Sequence, residues 1–193
     1  PYNVAQEIYI DMIPVTDYIT SGVWQIILNP TRVVEGQYDL WLPSENVLNR
    51  GTGFLYPDEE VTLTIPSTAD KVISVGAYDA LTFSYASFSG RGYTWQDERT
   101  KPDLVAPGVN VRTTAVGGGV TVVSGTSFAT PFVTGASALL MEWGIVRGND
   151  PFLYGEKVKA YLRRGARELP GFGRYPNREV GYGRLCLERS LPD

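Results

Sequence analysis

Histidine is absent from all 193 residues. The ring that most often serves as a general base near neutral pH, and that most often binds metals, is therefore missing. Cysteine is nearly absent as well. Cys186 stands alone, which excludes an intrachain disulfide framework and, with no histidine, the usual zinc ligand sets. It lies in Gly183-Arg184-Leu185-Cys186-Leu187 and reads as a buried small hydrophobe rather than a nucleophile. A basic surplus is lacking: 17 Lys and Arg against 21 Asp and Glu give a net charge of −4, which argues against a nucleic-acid partner. No apolar run approaches the length of a membrane span, so none is expected. The start, Pro1-Tyr2-Asn3-Val4, has neither Met nor signal-peptide character and reads as a cut or truncated chain. No cofactor or metal ligand set is identified.

What is there is ordinary for a globular protein: 43% apolar and 20% charged residues. The length suits one domain with an appendage and suffices to bury a core. Two zones differ in pattern. Residues 1–60 read as antiparallel β, a β-sandwich piece. Val23-Trp24-Gln25-Ile26-Ile27-Leu28 is a run of strand formers ended by Asn29-Pro30, and Gly36 to Leu42 alternates polar and apolar until Pro43.

The second zone, residues 61–193, reads as α/β. Strands are expected at Val61–Ile65, Val72–Ala77, Leu104–Ala106 and Val120–Val123. Loops are expected at Ser87–Gly92 and Gln96–Lys101. A helix is expected from Ser127 to about Trp143, apolar on all sides and so buried, with Pro131 tolerated in its first turn. A second helix is expected over Gly155–Gly165, with Lys157, Lys159, Arg163 and Arg164 on its wet side.

Ser127 stands where a strand gives way to the long helix. A helix N-terminus offers free amides and a partial positive charge, which suit a nucleophile whose attack generates an oxyanion. The alternative is that Ser127 is only the helix N-cap. Asp103 allows two readings, an acid or a structural turn residue, and its setting favours the latter. Asp58-Glu59-Glu60 reads as a solvated acidic run, with calcium binding as the less supported alternative because no loop signature is present.

Gly125-Thr126-Ser127-Phe128-Ala129-Thr130-Pro131, followed by Val133 and Gly135, resembles the nucleophile motif of subtilisin-like serine proteases (subtilases). Lys101 to Gly108, with its Ala106-Pro107-Gly108 end, resembles the segment preceding that serine. Val72 to Ala77, followed by Ala86-Ser87-Phe88-Ser89-Gly90, and Gly181-Tyr182-Gly183 extend the likeness over residues 61 to about 190. Val23 to Pro43 is similar to the end of a jelly-roll-like insertion of some bacterial subtilases, including clostridial germination proteases. That likeness fits an extracytoplasmic or spore-associated bacterial setting.

The resemblance implies a partial subtilisin-like parallel sheet with a buried nucleophile helix, preceded by a jelly-roll-like segment. It implies a hydrolase, a serine endopeptidase acting on peptide or protein substrates through an acyl-enzyme on Ser127. In subtilases the triad Asp, the triad His and the oxyanion Asn precede the serine in chain order. All three are expected in a missing N-terminal part, so this chain alone is expected to be inactive, and to be accompanied by that part or to self-associate. Phe132 stands where many subtilases carry a non-catalytic His. Two alternatives remain: a catalytically incomplete pseudoprotease acting as a binding or signalling module, and a sedolisin-like enzyme with a carboxylate base.

Overall fold

The computed structural model describes residues 7–34, 36, 38–43, 47–93 and 100–192. It divides into two compact units, Pro1–Gly53 and Phe54–Asp193.

No strand occurs among the described residues of the first unit, and all of these but Leu42 and Leu48 are exposed. The expected strands at 23–28 and 36–42 are therefore not formed, and Gln37 lies outside the described residues. The physical reason is the lack of a partner. A run such as Val23 to Leu28 becomes a strand only when a neighbour takes its amides and a facing layer takes its side chains. Among the described residues neither is present, and Trp24, Ile26, Ile27 and Leu28 lie open.

The second unit is built on a mixed sheet in which β1 (Val75–Asp79) lies between β2 (Ser84–Tyr85) and β5 (Leu104–Pro107). Strand β1 (Val75–Asp79) pairs in parallel with β5 (Leu104–Pro107), Val75 opposite Leu104 and Tyr78 opposite Pro107. Strand β2 (Ser84–Tyr85) adds to β1 antiparallel. The expected sheet was parallel throughout; the short hairpin return into Ser84–Tyr85 makes it mixed. Strands β3 (Gly92–Tyr93) and β4 (Thr100–Lys101) form a small antiparallel pair, as do β6 (Val111–Thr114) and β7 (Val120–Val123). Of the expected charged loop, Gln96–Arg99 lies outside the described residues and Thr100–Lys101 is in β4.

Val61–Ile65 is not a strand. Its burial does alternate, with Val61 and Leu63 half-buried between exposed threonines. However, Val61 takes a φ of 55°, which no extended strand allows.

The two faces of β1 and β5 bury separate cores, as strand pleat requires. Ala77, Leu104 and Ala106 face helix α1 (Thr126–Met141) and helix α2 (Gly155–Gly165), meeting Ala129, Val133, Ala136, Leu140, Val158 and Leu162. Tyr78 and Val105 face the other way, onto Leu169 and Val180 of the C-terminal loops. A short helix α3 (Leu187–Ser190) ends the unit; Cys186, half-buried rather than buried, precedes it.

Helix α1 continues as a π-helical turn, Glu142–Val146. By length and composition the joined segment Thr126–Val146 is apolar enough to cross a membrane, contrary to the reading that no run approaches that length. Its packing on β1 and β5 is that of a core helix. Nor is it buried all round. Only the stripe Ala129, Val133, Ala136 and Leu140 is covered, at helical spacing. Phe132, Leu139, Ile145 and Val146 are exposed, because the described residues supply a layer on one side only.

Candidate active site

The loop before the serine is a two-residue passage, Ser124 and Gly125, from β7 into α1. Ser124 Oγ accepts the Asn110 amide at 2.9 Å, tying the two hairpin strands together at their open end. Gly125 follows with φ 152°, a conformation that side chains rarely adopt. Its amide donates to Gly108 O at 2.8 Å, and its carbonyl accepts the Phe128 amide at 3.1 Å. Gly125 is thus the helix N-cap, and Ser127 is the second residue of α1.

This placement excludes the reading of Ser127 as the helix N-cap. A cap bonds a first-turn amide from outside the helix. Ser127 lies inside the helix with an exposed side chain, and its hydroxyl has no partner among the described residues. It is presented, not used.

The surroundings favour negative charge. First-turn amides lack intrahelical acceptors, and the helix dipole places about half a positive charge there. No acidic side chain occupies the first turn to neutralise it. The Ser127 amide is one such donor. Pro131 is the sixth residue of α1, inside the helix and beyond the first turn where it was expected. It lacks the amide that would bond the Ser127 carbonyl four residues back, which frees the turn carrying the serine from one constraint of the helical ladder.

The Ala106-Pro107-Gly108 segment braces this loop from below. Gly108 donates to Tyr78 O at 3.0 Å and accepts from Gly125. A methyl group on Gly108 would lie 2.6 Å from Ala77 Cβ, 3.0 Å from Gly125 O and 3.3 Å from Ala129 Cβ. Only glycine lets β1, the loop and α1 meet here. The sequence pointed to this segment through resemblance alone; its bracing role follows from the close approach.

The other sequence candidates fall elsewhere. Asp103 is fully buried, and its carboxylate is engaged by the Ser74 amide at 2.7 Å, Arg163 Nε at 3.0 Å, Lys159 Nζ at 3.3 Å and Lys101 Nζ at 3.4 Å. Burial holds the Lys159 ammonium below its ordinary pKa, against the pull of Asp103. The acidic run is ion-paired rather than merely solvated: Glu60 lies 3.5 Å from Arg91 and 3.3 Å from Arg178, and Glu59 also meets Arg91. Among the described residues no group of three or more His, Cys, Asp or Glu is arranged to hold a metal ion.

A mixed sheet packed on a helix whose first turn presents an exposed serine defines an α/β protein. The subtilase family model matches residues 55–183, and the chain belongs to the subtilase family of serine proteases. Similar curated proteins include the membrane-bound transcription factor site-1 protease of Mus musculus, 39% identical over 134 residues, which cover 67% of this chain and 12% of that protein. Serine protease AprX of Bacillus subtilis is 34% identical over 156 residues, 70% of this chain and 33% of that protein. Among solved structures, the Clostridium perfringens CspB protease superposes with a TM-score of 0.70 at 50% identity, covering 74% of this chain and 30% of that one. The chain thus spans a third or less of each of these relatives.

Proposed function

We propose that this chain is the nucleophile-bearing part of a serine endopeptidase. Ser127 Oγ attacks a peptide carbonyl, its proton passing to a histidine supplied by polypeptide outside these residues and oriented by an aspartate from the same source. The Ser127 amide donates to the oxyanion as it forms, and the leaving amine takes the proton from the histidine. Water then repeats the sequence on the acyl-enzyme. The observation that carries this reading is the exposed Ser127 hydroxyl, without a partner among the described residues, at the undisturbed positive end of α1.

The apolar stripe left open on α1 supports a further part of the proposal. Phe132 and Leu139 of α1, with Ile145 of the π-helical turn that continues it, form the face against which the histidine- and aspartate-bearing part of the domain packs. Without that part the chain is inactive and associates through this face. We assign residues 61–193 to the C-terminal part of the peptidase domain and residues 1–60 to the end of a jelly-roll-like insertion.

The second reading is a pseudoprotease that binds rather than cleaves, and the lack of histidine in these residues is common to both readings. Hydrolysis of a mixed peptide library by the full-length protein separates the two. The endopeptidase reading predicts internal cleavage that Ser127→Ala reduces on the order of 10⁶-fold. Absence of cleavage by folded protein carrying every triad residue refutes it.

A further inference from the structure

The ion pairs around Asp103 are unbalanced. Lys101, Lys159 and Arg163 all close on this one fully buried carboxylate. The two ammonium groups also share Val72 O, at 3.1 Å from Lys101 and 2.9 Å from Lys159. Ala69 O takes the remaining proton of Lys101 at 3.0 Å, and Asp70 O that of Lys159 at 2.7 Å. The three donors of each ammonium are therefore engaged. Arg163 is less fully used. Its Nε and Nη2 donate to Asp103 Oδ1 and its face lies over the Tyr182 ring, which leaves Nη1 uncommitted to this charge knot.

Arg163 also lines an open cleft of about 360 Å³ between α2 and the turn before β1. Glu156, Lys159, Ala160 and Arg163 form its helical wall, one stripe of α2, and Asp70 and Lys71 form the facing wall. At about 1.5 Å of rise per residue, Glu156 stands about 10 Å along the helix from Arg163. The helical wall is thus acidic at one end and cationic at the other. Lys71 is exposed on the opposite side. Counting the knot together with both walls, four cations face three carboxylates. Burial holds the Lys159 ammonium below its ordinary pKa; Asp103 opposes this, and the Lys101 and Arg163 charges add to it. The floor of the cleft is short of negative charge.

We propose that this cleft is a binding site for a small oxyanion, a carboxylate or phosphate group, held between Arg163 and Lys71 at the end away from Glu156. One such anion supplies the negative charge that the knot lacks. A guanidinium offers planar N–H groups to two oxygens of one carboxylate or phosphate, and the Lys71 ammonium adds a point charge from the facing wall. Chloride matches the charge but not the paired acceptors. The bound anion joins α2 to the turn that leads into β1, and binding to the folded state alone raises stability saturably.

The test is thermal melting of the full-length protein at neutral pH and constant ionic strength, as sodium phosphate or sodium citrate replaces sodium chloride. Wild type gains several degrees in phosphate or citrate and the gain saturates. Response to phosphate alone assigns a phosphate group, and response to citrate alone a carboxylate. Lys71→Glu, a change at an exposed position, loses the saturable gain. Glu156→Gln, which removes the acid at the far end, saturates at a several-fold lower concentration. A rise that does not saturate and is equal in all three proteins is the general effect of excluded salts on burial and overturns the proposal. A saturable gain that Lys71→Glu leaves intact overturns it as well.

Discussion

Gly108→Ala puts the bracing of Ser127 under direct strain. Gly108 does not hold a left-handed backbone, so the substitution costs nothing in φ and acts through space alone. The new methyl meets Ala77 Cβ at 2.6 Å, well inside van der Waals contact, and Gly125 O at 3.0 Å. Ala77 and Ala129 are both fully buried and have nowhere to move. Overpacking of this kind costs about 1–3 kcal/mol. Because β1 is held by β2 on one side and β5 on the other, the loop is the element that yields. An outward shift of Gly125 carries Ser127 with it, and a misplacement of about 1 Å costs on the order of 10²-fold in rate. The assay is the rate of fluorophosphonate labelling together with kcat/KM on a peptide, in the full-length protein, with the melting temperature measured alongside. Gly173→Ala is the control, since nothing lies within 4 Å of its added methyl; its stability should stay within about 0.5 kcal/mol of wild type. Wild-type labelling and melting for Gly108→Ala would refute the bracing argument.

Asp103→Asn leaves Lys101, Lys159 and Arg163 without their shared anion and should cost about 3–5 kcal/mol of stability; a denaturant titration showing no loss contradicts the charge-knot account. Gly181 holds φ 56°, and a methyl there meets the carbonyls of Pro102 and Asp103, so Gly181→Ala should lose about 2–5 kcal/mol by the same titration. The hydrogen bond from Lys157, then that from Tyr161, holds the Asp150 carboxyl below 3.8, and the same bond to Asp150 holds Lys157 above 10.5. A depressed acid contributes stability that is present above 3.8 and lost as pH falls through its lower folded value. A raised lysine contributes stability that is present below 10.5 and lost as pH rises through its higher folded value. The difference in melting temperature between wild type and Asp150→Asn should therefore be full near neutral pH and shrink on both limbs; a difference independent of pH contradicts it. The isolated 193-residue chain should bind a hydrophobic dye or self-associate through the open face of α1, and a monomer without dye binding counts against that face.

The site was more legible in the sequence than the scaffold around it. Gly125 to Pro131 carries its own local logic: a residue that needs φ 152°, a serine one position into the helix, and apolar residues recurring at helical spacing. Helix α2 was legible in its bounds, Gly155–Gly165, but not in its wet face: Lys159, expected there, is buried because Asp103 and the carbonyls of Asp70 and Val72 take its ammonium. Strands were less legible because pairing is not local. Val61–Ile65 alternates as a strand should, yet Val61 turns out of the extended region and the segment bonds to Arg91 instead. Val111–Thr114 has no buried face of its own and becomes a strand only through its hairpin with Val120–Val123. The apolar character of α1 was legible, but not which side is covered, because that depends on the layers packed against it. The charge knot was invisible: Asp103 and Lys159 are far apart in the chain, and only the fold brings both ammonium groups onto Val72 O.

Ser127 is proposed as a nucleophile activated by polypeptide outside residues 1–193. Fluorophosphonate labelling read by intact mass, on the full-length protein and its Ser127→Ala variant, tests it most directly. One covalent adduct is expected on wild type, none on Ser127→Ala, and none on the isolated 193-residue chain. A folded full-length protein that takes no label would contradict it and leave Ser127 a hydroxyl displayed at a helix end with no base to use it.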